Sequence, residues 1–89
     1  MRAVVTVTGK DKKGIIAKVS AFLSEKGANI EDISQTILGE YFAMIMLVDL
    51  TEAKQDLSAL AVECAELGKQ IGMAVYMQHE DIFNAMHNV

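Results

Sequence analysis

The stretch Tyr41 to Leu50, YFAMIMLVDL, constrains this chain more than any other. Phe42, Met44, Met46 and Val48 alternate with Ala43, Ile45 and Leu47, so a strand here is apolar on both faces. Such a strand belongs in the middle of a sheet and calls for covering on each side, because a bare face would expose a row of apolar side chains. Gly39-Glu40 separates it from Asn29 to Leu38, a run holding Ile30, Ile33, Thr36 and Ile37. Glycine at the first of two loop positions predicts a type II′ hairpin.

The flanking segments are equally periodic. In Arg2 to Thr8, Ala3, Val5 and Val7 alternate with Val4, Thr6 and Thr8, which predicts a strand. Ile15, Ile16, Val19, Phe22 and Leu23 form one helical stripe that Gly27 ends, and Leu57, Leu60, Ala61, Cys64 and Leu67 form another, terminated by Gly68 and Gly72. Met73, Val75 and Met77 then alternate with Ala74, Tyr76 and Gln78 in a last strand, and Ile82, Phe83 and Met86 mark a short C-terminal helix.

The order βαββαβ predicts an α+β, ferredoxin-like fold: a four-stranded antiparallel sheet with two helices on one face, plus the short C-terminal helix. Two helices cover only one side of the sheet. The doubly apolar strand therefore predicts pairing of two copies, side by side or face to face, with Tyr76, Met77 or the C-terminal helix contributing.

Composition narrows the function. Eighty-nine residues, 52% hydrophobic and without proline or internal repeat, predict one domain over residues 1–89. A chain of this size buries only about 60 to 65% of its unfolded surface, so association is expected. A net charge of −4 opposes nucleic-acid binding, which needs clustered cations to release counterions. The only cluster, Lys10, Lys12 and Lys13, is interrupted by Asp11. No apolar run reaches the ~18 residues of a membrane span, and Gly9, Asp11 and Gly14 fall where a signal peptide would be apolar, so a cytoplasmic location is expected.

Catalytic, metal and cofactor chemistry find no constellation. Cys64, the only cysteine, lies on a helical apolar stripe and reads as a small buried hydrophobe. Ser20 and Ser24 have no nearby histidine in sequence, and His79 and His87 have only Glu80 and Asp81 beside them. The first loop holds KDKKG where a copper-carrying domain of this fold needs two cysteines, and Gly9 to Gly14 is followed by Ile15-Ile16 where a P-loop needs Lys and Ser or Thr.

That loop, TGKDKKGIIA from Thr8 to Ala17, remains as the candidate site. Asp11 is a candidate N-cap, and the following backbone N–H groups sit at the positive end of the helix macrodipole, where a carboxylate is favoured. Gly14, lacking a Cβ, lets a ligand or a neighbouring chain approach. The alternative is structural: Asp11 caps, Gly14 packs and the lysines are solvated.

The segment D-x-x-G-I-I-A at Asp11 to Ala17, with G-A-N-I at Gly27 to Ile30, resembles the ACT domain, a regulatory module that commonly binds amino acids. The chain is similar in particular to the stand-alone ACT proteins of the UPF0237 family, because the likeness continues through the EYF hairpin to the tail HEDIFNAMHNV. The resemblance implies a small-molecule ligand, an amino acid or similar metabolite, at the interface of a homodimer or higher oligomer. It would lie between the loop opening the first helix and the start of the partner's second strand.

Carried onto this chain, the resemblance implicates Lys10, Asp11, Lys12, Lys13, Gly14, Ile15, Asn29 and Ile30. Backbone donors near Gly14 and Ile15 suit an α-carboxylate, while Asp11 or the Asn29 side-chain carbonyl can accept from an α-ammonium. Lys13 departs from the family, which commonly has proline there; a more mobile loop or an altered ligand preference follows. Two readings stand: a non-catalytic ligand-binding regulatory module, and a constitutive interaction module that has lost its ligand and docks a protein partner through the lysine loop or the acidic helices.

Overall fold

The alternating segments form strands and the 3.6-period segments form helices, in the order the sequence predicts. The computed structural model describes residues 1–87; Asn88, Val89 and the side chain of His87 lie outside the described residues. The elements are β1 (Arg2–Lys10), α1 (Ile15–Glu25), β2 (Asn29–Leu38), β3 (Tyr41–Asp49), α2 (Leu57–Ile71), β4 (Ala74–His79) and α3 (Glu80–His87).

The four strands make one antiparallel sheet in the order β2-β3-β1-β4. Register follows the pleat: Val5 pairs with Met46 and Met77, and Val7 with Met44 and Val75, so the large apolar residues of three strands share one face. The β2–β3 hairpin closes with Leu38 opposite Tyr41, and Gly39 at φ 62 precedes a Glu40 whose φ is not positive. A type II′ turn needs that combination; type I′ would require positive φ at both positions.

One face packs under the two long helices. Ile15, Val19 and Leu23 of α1 and Leu60 and Cys64 of α2 join Ala3, Val5, Val7, Phe42, Met44, Met46, Val48 and Val75 in a continuous core. α1 closes with the Gly27 N–H donating to Ser24 O (3.1 Å) and the Ala28 N–H to Leu23 O (2.9 Å), a Schellman motif whose apolar contact is supplied by buried Leu23 and Ala28. α2 starts at Asp56, whose carboxylate accepts from the Ala59 N–H at 2.9 Å, and ends at Gly72.

Gly68 does not end α2 as the sequence suggested. It lies within the helix and on β4, where a Cβ would stand 2.5 Å from the Met73 carbonyl oxygen, so it is glycine to let helix and strand approach.

The second face is only partly covered. α3 packs against β1 and β4, where Val4 is buried and the Arg2 guanidinium holds Glu80 at 2.8 Å. Elsewhere Tyr41, Ile45 and Tyr76 remain exposed, at 56%, 46% and 60%. The apolar second face of β3 is thus largely open within one chain.

Candidate functional site

β1 carries the chain up to Lys10, opposite Tyr41. The Asp11 amide N–H then donates to the Glu40 carbonyl at 2.8 Å, extending the ladder by one residue. Asp11 is therefore not the helix cap that its position suggested: its backbone is held three residues upstream of the cap by a cross-strand bond. Gly14 is the N-cap instead, at φ 80 and ψ 7, and its carbonyl accepts the first helical bond from the Lys18 N–H at 3.0 Å.

Glycine is needed at position 14 for that left-handed φ; open space surrounds the place a Cβ would occupy. No side chain caps α1, and its first turn holds no acid. The first-turn N–H groups thus form the positive end of the helix with no acid in the turn itself and no side chain bonded to them.

The three lysines of the loop separate in space. The Lys12 ammonium lies against Gly72, at the negative end of α2, where a cation is stabilised. Lys10 and Lys13 are exposed and without an ion-pair partner among the described residues. Ile15 is 3% exposed and belongs to the core, so only its backbone can serve a ligand.

Asn29 and Ile30 lie at the other end of α1. Eleven helical residues separate them from Gly14, roughly 16 Å of helix at 1.5 Å per residue. Within one chain, the two halves of the sequence-predicted site do not meet.

Around Asn29 the structure shows what the sequence reading missed. A hollow of about 480 Å³ is lined by Ser20, Ser24, Gly27, Ala28, Asn29, Ile30 and Glu52. A second of about 240 Å³, lined by Gly27, Asn29, Asp49, Thr51 and Glu52, adjoins it through shared residues. Asp49 accepts from the Thr51 hydroxyl at 2.7 Å and the Thr51 N–H at 3.0 Å, with the chain's amino terminus at 3.8 Å. The Thr51 bonds, aided by the amino terminus and Arg2, hold its carboxyl below the usual range. Spacing could have revealed part of this: Ser20 and Ser24 are one turn apart on α1, and Asp-x-Thr at 49–51 favours a local side-chain turn.

The other candidates resolve structurally. Burial, then the Glu63 charge, push the Cys64 thiol up to about 11. His79 Nδ1 accepts from the Asp81 N–H at 3.0 Å, which orders the start of α3. The side chain of His87 lies outside the described residues. Among the described residues no group of three or more His, Cys, Asp and Glu could hold a metal ion, and no helix is long and apolar enough to cross a membrane.

A four-stranded antiparallel sheet backed by two helices, with a glycine-started helix leaving the first strand and an acidic hollow where that helix returns, defines the class: a ferredoxin-like α+β domain. The chain belongs to the ACT domain family, whose model matches residues 2–78. A UPF0237 protein of Methanopyrus kandleri is 53% identical over 88 residues, covering 99% of this chain and 98% of its own. Among solved structures, an ACT domain protein from Streptococcus pneumoniae superposes with a TM-score of 0.83 at 45% identity, covering 98% of each chain. The ligand-free regulatory subunit of aspartate kinase from Thermus thermophilus gives 0.64 at 29% identity, covering 86% of this chain and 50% of its own.

Proposed function

We propose that this chain, a single ACT domain over residues 1–89, is a non-catalytic regulatory module of the cytoplasm that binds an amino acid or similar zwitterion between two copies of itself. The observation that carries the reading is the placement of two half-sites at opposite ends of one exposed edge strand. The uncapped start of α1 lies by the Leu38 end of β2, tied there by the bond from Asp11 to Glu40, and the hollow at Asn29 lies by its beginning. Antiparallel pairing of β2 with a second β2 about a two-fold axis sets each half-site opposite the other.

In the composite site a ligand's carboxylate is held by backbone N–H groups from Gly14 and Ile15, with Lys13 adding positive potential. Its ammonium is held by the Asn29 side-chain carbonyl of the second copy, with Asp49 and Glu52 nearby; Ile30 supplies an apolar wall. A ligand touching both copies favours the arrangement of loop and strand that it bridges, and that population shift is the signal a protein partner would read. The likeness to a regulatory subunit of aspartate kinase supports the regulatory part of this reading.

A constitutive interaction module is the second reading, favoured by one observation: Lys13, exposed and without an ion-pair partner among the described residues, stands where the family commonly has proline. Thermal unfolding against the twenty amino acids at millimolar concentration separates the two. A ligand at ~100 times its dissociation constant adds about 2.7 kcal/mol. The regulatory reading expects a selective shift that Asn29→Ala abolishes; no shift with any amino acid leaves the interaction module.

A further inference from the structure

The β2 edge is unusually open to pairing. Every residue from Glu31 to Leu38 is exposed, and beyond the bulge between Ile30 and Asp32 the run ISQTIL has neither charge nor proline to discourage a neighbour. Ile33 and Ile37 share the helix-covered face with Met46 and Phe42, yet stand exposed at the rim.

The two ends of this strand differ in charge. Around the Leu38 end Lys10, Lys12 and Lys13 outnumber Asp11 and Glu40, and around the Asn29 end Glu31, Asp32, Asp49 and Glu52 outnumber Arg2 and the amino terminus. Parallel pairing of two copies would set lysine loop against lysine loop, whereas antiparallel pairing sets each lysine loop against the other copy's acidic end. Charge complementarity therefore selects a second copy of this chain in the antiparallel sense.

Lys10 continues the Thr6, Thr8 alternation and so belongs to the sheet face away from the helices, whereas the hollow is built partly by α1 through Ser20 and Ser24. Lys12 reaches Gly72, just before β4 at the edge of the sheet opposite β2. Lys13, beside the start of α1, is left. On the acidic side Asp49 is occupied by Thr51 and the amino terminus, Arg2 lies 3.7 Å from Glu31, and Asp32 accepts from the Ile33 N–H. Glu52 lines both hollows and has no ion-pair partner among the described residues.

We propose that in the ligand-free pair the Lys13 ammonium of one copy enters the hollow at Asn29 of the other and pairs with its Glu52, a latch that a ligand's ammonium displaces. The inference rests on the β2 pairing proposed above and deepens it: Lys13 is a built-in competitor for the ammonium half of the site. Two-fold symmetry gives each dimer two latches. Ligand binding then exchanges one cation for another, and the latch is weakened by salt.

Sedimentation velocity in 50 mM and 500 mM NaCl tests it, on the wild type, Lys13→Glu, Glu52→Lys, the double exchange and the neutral variant Lys13→Gln, each first checked for folding by circular dichroism. At low salt each single reversal is expected to raise the dimer dissociation constant ~10-fold or more, because two pairs per dimer become like-charged. Lys13→Gln falls between, the double exchange returns close to wild type, and high salt weakens the wild type towards Lys13→Gln. A dimer that ignores both single reversals, or a double exchange no better than the singles, overturns the latch while leaving β2 pairing in place. A wild type that stays monomeric at 100 μM sinks the pairing and the latch together.

Discussion

The Asp11 amide N–H donates to the Glu40 carbonyl across 2.8 Å, joining the loop that opens α1 to the turn that ends β2. That single bond sets where the positive end of α1 lies relative to the exposed edge strand. It also shifts the start of the helix to Gly14, whose backbone conformation becomes a stability determinant in its own right.

Gly14→Ala separates that conformation from crowding. Nothing stands within 4 Å of the added Cβ, so the cost is the left-handed φ alone, about 1–2 kcal/mol. Urea unfolding should show that loss, with Gly14→Asn milder because asparagine tolerates this region better. Equal stability of the alanine variant and wild type would mean that the loop relaxes to another cap.

Gly68→Ala tests the opposite case. The helix there is regular, so alanine gains propensity, yet its Cβ would stand 2.5 Å from the Met73 carbonyl and 3.0 Å from the Val75 amide nitrogen. Backbone on both sides cannot yield cheaply, and a net loss of about 1–3 kcal/mol is expected from overpacking. A raised urea midpoint would show that α2 and β4 can separate without penalty.

Acid sensitivity should come from two carboxylates. Asp49 is held below its usual range chiefly by the Thr51 hydroxyl and amide, and Glu63 by the Gln55 side chain first and then by Lys26, whose ammonium is 3.0 Å away. A lowered folded value means that the native state binds fewer protons than the unfolded chain in the acid range. The stabilisation is complete above the ordinary carboxylate range and is lost as pH falls towards the lowered values. Melting temperature should therefore decline below that range, and Asp49→Asn with Glu63→Gln should flatten the decline. An unchanged acid limb would assign the sensitivity to other groups.

Cys64 should be silent to thiol reagents while the protein is folded. It is 1% exposed, and burial pushes its thiol up to about 11, leaving almost no thiolate at pH 8. A chromogenic disulfide reagent should react at the rate of unfolding in native buffer and promptly in 6 M guanidinium. Prompt native reaction would mean that α2 opens locally.

The legibility of the sequence tracked the range of the interactions. β3 could be assigned as a central strand from its own alternation, and Gly39 fixed the hairpin type because turn chemistry acts within two residues. Asp11 was misjudged as a cap because its fate depends on Glu40, twenty-nine residues away. Asn29 was recognisable through the family motif, but its neighbours in the hollow come from α1 and from the segment after β3, and no local pattern joins Ser24 to Glu52.

The sequence by itself determined the elements, their order and the core face, because periodicity and turn residues act locally and a pleated strand leaves each side chain only one face to choose. Only the tertiary structure decided that the lysine loop and the acidic hollow lie at opposite ends of one exposed edge strand. That arrangement depends on β3 and β1 pairing at the sheet's centre and on α1 spanning the distance between the two ends, contacts between residues far apart in the chain.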